Sequence, residues 1–360
     1  MGLWERLTEL PVAVEEVALE GLRLRTRSGW ERRSTIVRLQ GRGRTGVGED
    51  LTWSAEEQER FLEEGMQVLA PLRGAAAPLG ALCEELDALD LYGGRPVAHN
   101  DRDLRRYGLE SALLDLALEQ NGLDLPRALG MPPRPVCFVV SLGLGSPPSE
   151  APLHSLRERF PGLGFKLDWA PSWDEALLQE LAELGGVEVV DFKGHYRGGF
   201  EGPPPDPQGY RRTAELLPGA ILEDPVAEGP AWEALAPFRS RVAWDAPVHS
   251  LEDLRALPQP AFLNLKPSRF GRLEELFRVV DHARSSGLPT YGGGQFELGP
   301  GRIQAQILAA LLHPEAANDL SPVAFHEEPP GPAAAAPPLQ PAGLLASLAA
   351  FRNPAGARPR

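Results

Sequence analysis

This chain predicts an α/β protein: a parallel (β/α) barrel preceded by an α+β domain. From about residue 134 short apolar runs alternate with amphipathic helical stretches, and seven or eight such units follow at roughly 20 to 30 residues each. Before residue 134 the order is different, strands first and helices after, which marks a separate unit over 1–133.

Residues 10–50 alternate in short bursts, Val17-Ala18-Leu19-Glu20-Gly21-Leu22-Arg23-Leu24 and Ser34-Thr35-Ile36-Val37-Arg38-Leu39, broken by the glycine-rich run Gly41 to Glu49. That pattern reads as an antiparallel meander. Helical periods then cover 55–71, 77–90 and 101–121, the last with Leu109, Leu113, Leu116 and Ala117 on one face. The barrel is read over 134–325, with strands at 136–141, 163–168, 187–192, 219–223, 241–245, 261–266 and 288–292, an eighth near 318–324, and helices such as 172–184 and 270–286 between them. An open doubly wound sheet is the alternative. It would carry a glycine-rich phosphate turn after an early strand, and none is present. The remaining segment, 326–360, opens with a Pro/Ala-rich stretch, 326–341, expected to be an extended linker. Leu344, Leu345, Leu348 and Phe351 then offer a short apolar face able to return to the first domain, before a basic end expected to be disordered.

The chain has 360 residues, 42% of them hydrophobic, enough for a sizeable core. It has no apolar run of 18 residues, and its N-terminus lacks a basic region followed by an apolar stretch, so neither membrane span nor secretion signal is expected and the setting is read as cytoplasmic. A net charge of −14, with arginines scattered among glutamates, argues against a nucleic-acid partner. Cys83 and Cys137 have no metal-ligand spacing and are read as small apolar packing groups.

Chemistry enters through the lysines, of which there are three against 33 arginines. Lys166, Lys193 and Lys266 each stand directly behind a short β-type run, whereas cations that serve only the surface are arginines. A lysine ammonium can be desolvated until it titrates and serves as base or acid, which a guanidinium cannot. Acids end the strands between them: Asp191 the third, Glu223 the fourth and Asp245 the fifth. At a barrel mouth these converge as three oxygen ligands, the set an octahedral Mg²⁺ takes from protein while leaving positions for water and substrate.

These residues, with Glu223-Asp224-Pro225, Asn264-Leu265-Lys266-Pro267-Ser268-Arg269-Phe270-Gly271 and Tyr291-Gly292-Gly293-Gly294-Gln295-Phe296-Glu297, resemble the enolase superfamily. The similarity is greatest to the muconate-lactonising branch that also holds o-succinylbenzoate synthases and dipeptide epimerases. Ala112-Leu113-Leu114-Asp115 is similar to the family's last cap helix, and Gly46-Val47-Gly48-Glu49 to the strand turn before its helices. The resemblance implies a capping domain that selects substrate, a modified TIM barrel, Mg²⁺ on Asp191, Glu223 and Asp245, and removal of a proton α to a carboxylate through an enediolate. It also implies a small carboxylate as substrate and the self-association common in the family.

One departure stands out. The family's second strand ends Lys-x-Lys, whereas this chain reads Lys166-Leu167-Asp168. Asp168 is the base in one reading. In a second, Lys193 supplies the missing amine, since it lies two residues past Asp191 on the same side of the neighbouring strand. In a third, Asp168 and Lys193 form an ion pair and leave Lys166 and Lys266 to act. Lys266 is expected to stand across the substrate as acid, base or cation clamp. His195 and Arg197 follow in a glycine-bordered loop and are candidates for a substrate carboxylate, while Glu297 and Asp319 lie where the seventh and eighth strands should end. His154, His249 and His313 lack partner spacing and read as surface or loop residues. The function expected is Mg²⁺-dependent, o-succinylbenzoate synthase-like dehydration; the alternatives are a racemase or epimerase of the same superfamily, or an inactive barrel that serves as a binding protein.

Overall fold

The computed structural model describes residues 1–26, 29–196 and 201–353, apart from the side chain of His99. The first domain holds β1 (Pro11–Ala13), β2 (Glu16–Arg25), β3 (Glu31–Gly41), β4 (Arg44–Asp50) and β5 (Ala76–Pro78). β2, β3 and β4 form the antiparallel meander, and β1 pairs with β5. The hairpin from β3 to β4 turns on Arg42 (φ 51°) and Gly43 (φ 69°), two left-handed residues whose twist suits a two-residue loop. The helix Ala55–Val68 starts at Ser54, whose side chain accepts from the Glu57 backbone N–H at 3.2 Å. Across the sheet lies the helix His99–Gln120, so close that a Cβ on Gly46 or Gly48 would strike its backbone at Leu116 and Gly108. Asp115 of that helix accepts from Val47 N at 2.9 Å, joining the two motifs by a hydrogen bond.

The barrel strands are β6 (Val139–Gly143), β7 (Gly164–Asp168), β8 (Val187–Asp191), β9 (Ile221–Glu223), β10 (Val242–Trp244), β11 (Phe262–Leu265) and β12 (Thr290–Gly292). All seven fall within three residues of the expected bounds and lie parallel in chain order, as right-handed βα units require. Their helices start on short polar caps: Asp174 accepts from Leu177 N, Asp206 from Gln208 N and Ser250 from Asp253 N.

The expected eighth strand is reduced to a bridge. Asn318 O accepts from Val139 N and Gly292 O accepts from Asp319 N, each at 2.8 Å, so the free edges of β6 and β12 are joined through two residues. The Asn318 side chain adds bonds to Gly292 N, Cys137 O and His313 O. Beyond them Pro322 has no N–H to give a ladder, and Val323–His326 forms a 3-10 turn.

Leu339 pairs antiparallel with Val136, and the helix Pro341–Arg352 follows with Leu344 and Leu348 buried. Arg352 bonds Asp115 and Glu119 of the first domain, and Arg38 of β3 donates to Phe351 O at 2.5 Å. The basic end, 354–360, lies outside the described residues. Cys83 is buried, Cys137 is half-buried and both are free thiols. Among the described residues no helix is long and apolar enough to cross a membrane.

Candidate active site

Strand alternation builds the site. Side chains two apart share a face, and residues paired across parallel strands point the same way. Ser141 pairs with Lys166, Lys166 with Val189, Asp168 with Asp191, Asp191 with Glu223, Glu223 with Ala243, and Asn264 with Tyr291. Lys166 and Asp168, Asp191, Glu223, Asp245, Asn264 and Lys266, and Tyr291 therefore all face the axis. An extra residue in β8, Glu188, at the register shift opposite Phe165 and Lys166 brings Asp168 and Asp191 level. Below the polar layer Val189, Ala243 and Tyr291 pack together as the floor.

Lys166 is buried to 2% exposure and bonds Glu223, with Asp319 at 3.4 Å and Asp191 at 3.6 Å. Burial works to lower its pKa, but Glu223, Asp191 and Asp319 outweigh it and hold the ammonium well above the usual lysine range. Glu223 also accepts from Asn264 at 3.1 Å and from the Tyr291 hydroxyl. Burial is the main influence on Glu223 and pushes its carboxyl up to about 7, Lys166 opposing. Lys193 reaches Asp191 at 2.9 Å and Asp168 at 3.0 Å. Asp191 feels burial most, yet Lys193 and Lys166 bring it below the ordinary carboxylate range. Asp245 pairs with Lys266 at 2.8 Å and with Arg269, which overcome burial and hold it lower still.

The candidate residues read from the sequence map unevenly onto the structure. Asp168 and Lys193 form an ion pair, the arrangement of the third reading. His195 donates from Nε2 to Pro225 O, 2.9 Å away, with its ring edge-on to Trp244. Arg197 lies outside the described residues. Glu297 is buried in its own loop, bonded to Arg302 at 3.0 Å and to Gln295 N at 2.7 Å. His313, expected at the surface or in a loop, follows the helix Pro300–Leu312 outside regular structure and is buried beside Thr290, because that helix ends against β12.

Four side chains of the site had no role assigned from sequence. Asn264 and Tyr291 hold Glu223; Arg269 holds Asp245; Asp224, in left-handed backbone (φ 47°), accepts from Asp245 N and Ala246 N at 2.7 Å each. Asn264, two residues before Lys266, carried a readable signal in its period. The others depend on cross-strand neighbours.

Among the described residues no three acid, imidazole or thiol groups stand already grouped as metal ligands; ammonium and guanidinium groups sit between the acids. The donor chemistry nonetheless suits a hard cation, since Asp191, Glu223 and Asp245 offer only oxygen.

Two family models match the chain. "Domain of unknown function (DUF8230) N-terminal domain" covers residues 5–128, and its C-terminal counterpart covers 132–327. Among curated proteins, o-succinylbenzoate synthase of Geobacillus stearothermophilus is 25% identical over 279 residues, 75% of this chain and 72% of that protein. Muconate lactonizing enzyme from Pseudomonas putida superposes with a TM-score of 0.64 at 20% identity, covering 86% of this chain and 88% of its own. An L-Ala-D/L-Glu epimerase gives 0.62 at 21%, covering 86% and 92%. At such identities the two solved structures speak for the fold.

Proposed function

We propose, since this chain belongs to the DUF8230 family and to the enolase superfamily on its muconate-lactonising and o-succinylbenzoate synthase-like branch, that it removes a proton α to the carboxylate of a small substrate. The reaction runs through an enediolate to a dehydration of the o-succinylbenzoate synthase kind, in the cytoplasm. Enzymes of this branch are lyases and isomerases, and the chain is of that type.

The observation that carries the proposal is the placing of two lysines. With β6 as the first strand and the 318–319 bridge closing the ring, Lys166 stands in the second strand and Lys266 follows the sixth, on opposite sides of the mouth, and Asp191, Glu223 and Asp245 belong to the three between. A carboxylate entering there meets a lysine on each face. Lys166 is assigned the proton transfer, for which it must act as the free amine; a cation bound by Asp191 and Glu223 would offset the negative charge that now holds its proton, and Lys266 is the cation beside the developing enediolate oxygens. Mg²⁺, held by Asp191, Glu223 and Asp245, would supply positive charge at the substrate carboxylate and make its α proton more acidic. Asp168 and Lys193 hold the wall through their ion pair. Asp319 positions Lys166, Glu297 holds its own loop through Arg302, and His195 and Arg197 are assigned contacts with the rest of the substrate.

Epimerisation would use the same two lysines, one as free amine and one as ammonium; it differs in leaving the substrate's β substituent in place. A binding protein without turnover is the reading favoured by the Asp168 replacement and by the ion pairing of Asp191, Glu223 and Asp245.

In heavy water containing Mg²⁺, wild-type protein is expected to exchange the α-hydrogen of at least one acid in a panel of carboxylates. Lys266→Ala should abolish that exchange with an unchanged melting curve. Full exchange by this variant would remove Lys266 from the mechanism. Calorimetry should show Mg²⁺ uptake that Glu223→Gln weakens; no uptake at millimolar metal, with no exchange of any acid, would favour the binding protein.

A further inference from the structure

We infer that Lys193 is an internal cation that occupies Asp191 in competition with a divalent metal and shifts to Asp168 when the metal binds, an inference that rests on the Mg²⁺ assignment above. Lys193 Nζ donates to Asp191 Oδ2 at 2.9 Å, and the Lys193 backbone N–H donates to Asp191 Oδ1 at the same distance. Oδ2 is the oxygen turned toward the other acids, because Lys166, which bonds Glu223, also lies 3.6 Å from it. It is therefore the atom that a cation shared with Glu223 would take. An ammonium already bonded there stands in the metal's approach and repels it.

The backbone cannot carry the lysine away. Lys193 has a φ of 51°, a left-handed conformation uncommon for a residue with a Cβ, and its bond to Asp191 Oδ1 holds it there. Next in the chain, Gly194 N donates to Asp224 O at 2.8 Å, and a Cβ on Gly194 would stand 2.5 Å from Val226 N, so this turn is pressed against the loop after β9. What can move is the flexible four-carbon stem, and a second partner stands within its reach. Asp168 Oδ1 is buried, lies 3.0 Å from Nζ and accepts no hydrogen bond among the described residues. The ammonium thus bonds Asp191 and only neighbours Asp168; a small rotation of the stem completes the second bond as it gives up the first. The Asp168 side chain is 37% exposed against 1% for Asp191, so the shift runs toward solvent and clears the interior.

The departure in the second strand takes on a purpose in this light. A lysine at position 168 would bring an amine to Asp191 with no acid beside it to receive that amine. Here the amine comes from Lys193 on the neighbouring chain segment and the acid from Asp168, whose partner across the ladder is Asp191 itself. One residue blocks the cation site and the other receives what the cation displaces. Metal affinity is set below what Asp191, Glu223 and Asp245 would reach without Lys193.

The test is calorimetric titration of Mg²⁺ into the full chain and its variants. Lys193→Met keeps the stem and removes the charge, and it should bind Mg²⁺ about ten- to 100-fold more tightly than wild type, the range over which groups behind metal ligands tune affinity. Asp168→Asn removes the receiving carboxylate and should weaken Mg²⁺ by about two- to fivefold, the worth of a half-exposed ion pair. In the Lys193→Met background the same change should have little effect, since no ammonium then needs a place. A charge effect at a distance would instead weaken both backgrounds alike. Equal or weaker binding by Lys193→Met, or an equal loss from Asp168→Asn in both backgrounds, would overturn the competition and leave the metal assignment standing. No Mg²⁺ binding by wild type or by Lys193→Met would overturn both, whereas binding by Lys193→Met alone would support both. If Lys193→Met does not fold, Asp168→Asn decides alone, and Mg²⁺ binding as tight as that of wild type would overturn the competition.

Discussion

Gly293 shows how little room the site leaves. A Cβ at this position would collide with Asn264 Oδ1 and lie 2.7 and 2.8 Å from Lys266 Cγ and Cε. Gly293→Ala must therefore shift Lys266, the residue assigned to the enediolate, and a displacement near 1 Å can cost about 100-fold in rate. The expected outcome is α-hydrogen exchange reduced by about ten- to 100-fold with folding retained; exchange at the wild-type rate would mean that Lys266 tolerates being moved. The acids and lysines of this site were legible because each ends a short apolar run, and period-2 alternation places such residues on one face. Asp224, Arg269 and Tyr291 were not, because each works through a partner on another strand, and pairing register is absent from local pattern. The Lys166-Leu167-Asp168 departure was legible as a departure. The contact it makes, an Asp168 carboxylate held 3.0 Å from Lys193, needed the register shift opposite Phe165.

Among the elements, a glutamate one residue from the end of β4 fastens the two domains. Glu49 is buried and accepts from Leu298 N at 2.7 Å and from Gly299 N and Gly301 N at 3.0 Å each, with Ser34 donating at 2.6 Å. It thus caps the helix Pro300–Leu312 from across the seam, satisfying N–H groups that no residue of that helix can reach and placing negative charge at its positive end. Glu49→Ala should leave those donors unsatisfied in a buried place, a loss of about 2–4 kcal/mol in denaturant unfolding. A change within about 0.5 kcal/mol would show that water replaces the carboxylate at no cost. Sequence placed Glu49 at a turn and no further, since its partners lie some 250 residues downstream. The eighth strand failed for a related reason: the apolar residues near 318–324 read as a strand, but Asn318 makes the closing bonds with its side chain and Pro322 ends the chance of a ladder.

On the scale of the whole molecule, closure of the barrel brings a titratable group into the interior. His313 follows the helix Pro300–Leu312, its Nδ1 sits 3.0 Å from Thr290 Oγ1 on β12, and its carbonyl accepts from Asn318, the residue that joins the first and last strands. Burial lowers its pKa from the ordinary 6.5 to about 3. Above pH 6.5 the imidazole is neutral both folded and unfolded, so it adds no pH dependence there. Between 6.5 and 3 the unfolded chain binds a proton that the native barrel refuses, and stability falls as the pH drops, by at most about 1.4 kcal/mol per pH unit. Below about 3 the contribution levels off. His313→Gln should be somewhat less stable than wild type at pH 7, where it loses shape complementarity, yet its stability should decline less steeply from pH 6.5 to 4.5, by about 1–3 kcal/mol over that span. The carboxylates titrate in both proteins, so the difference between their curves isolates the histidine. Parallel curves from urea titrations across that range would show that the imidazole takes up its proton without opening the seam.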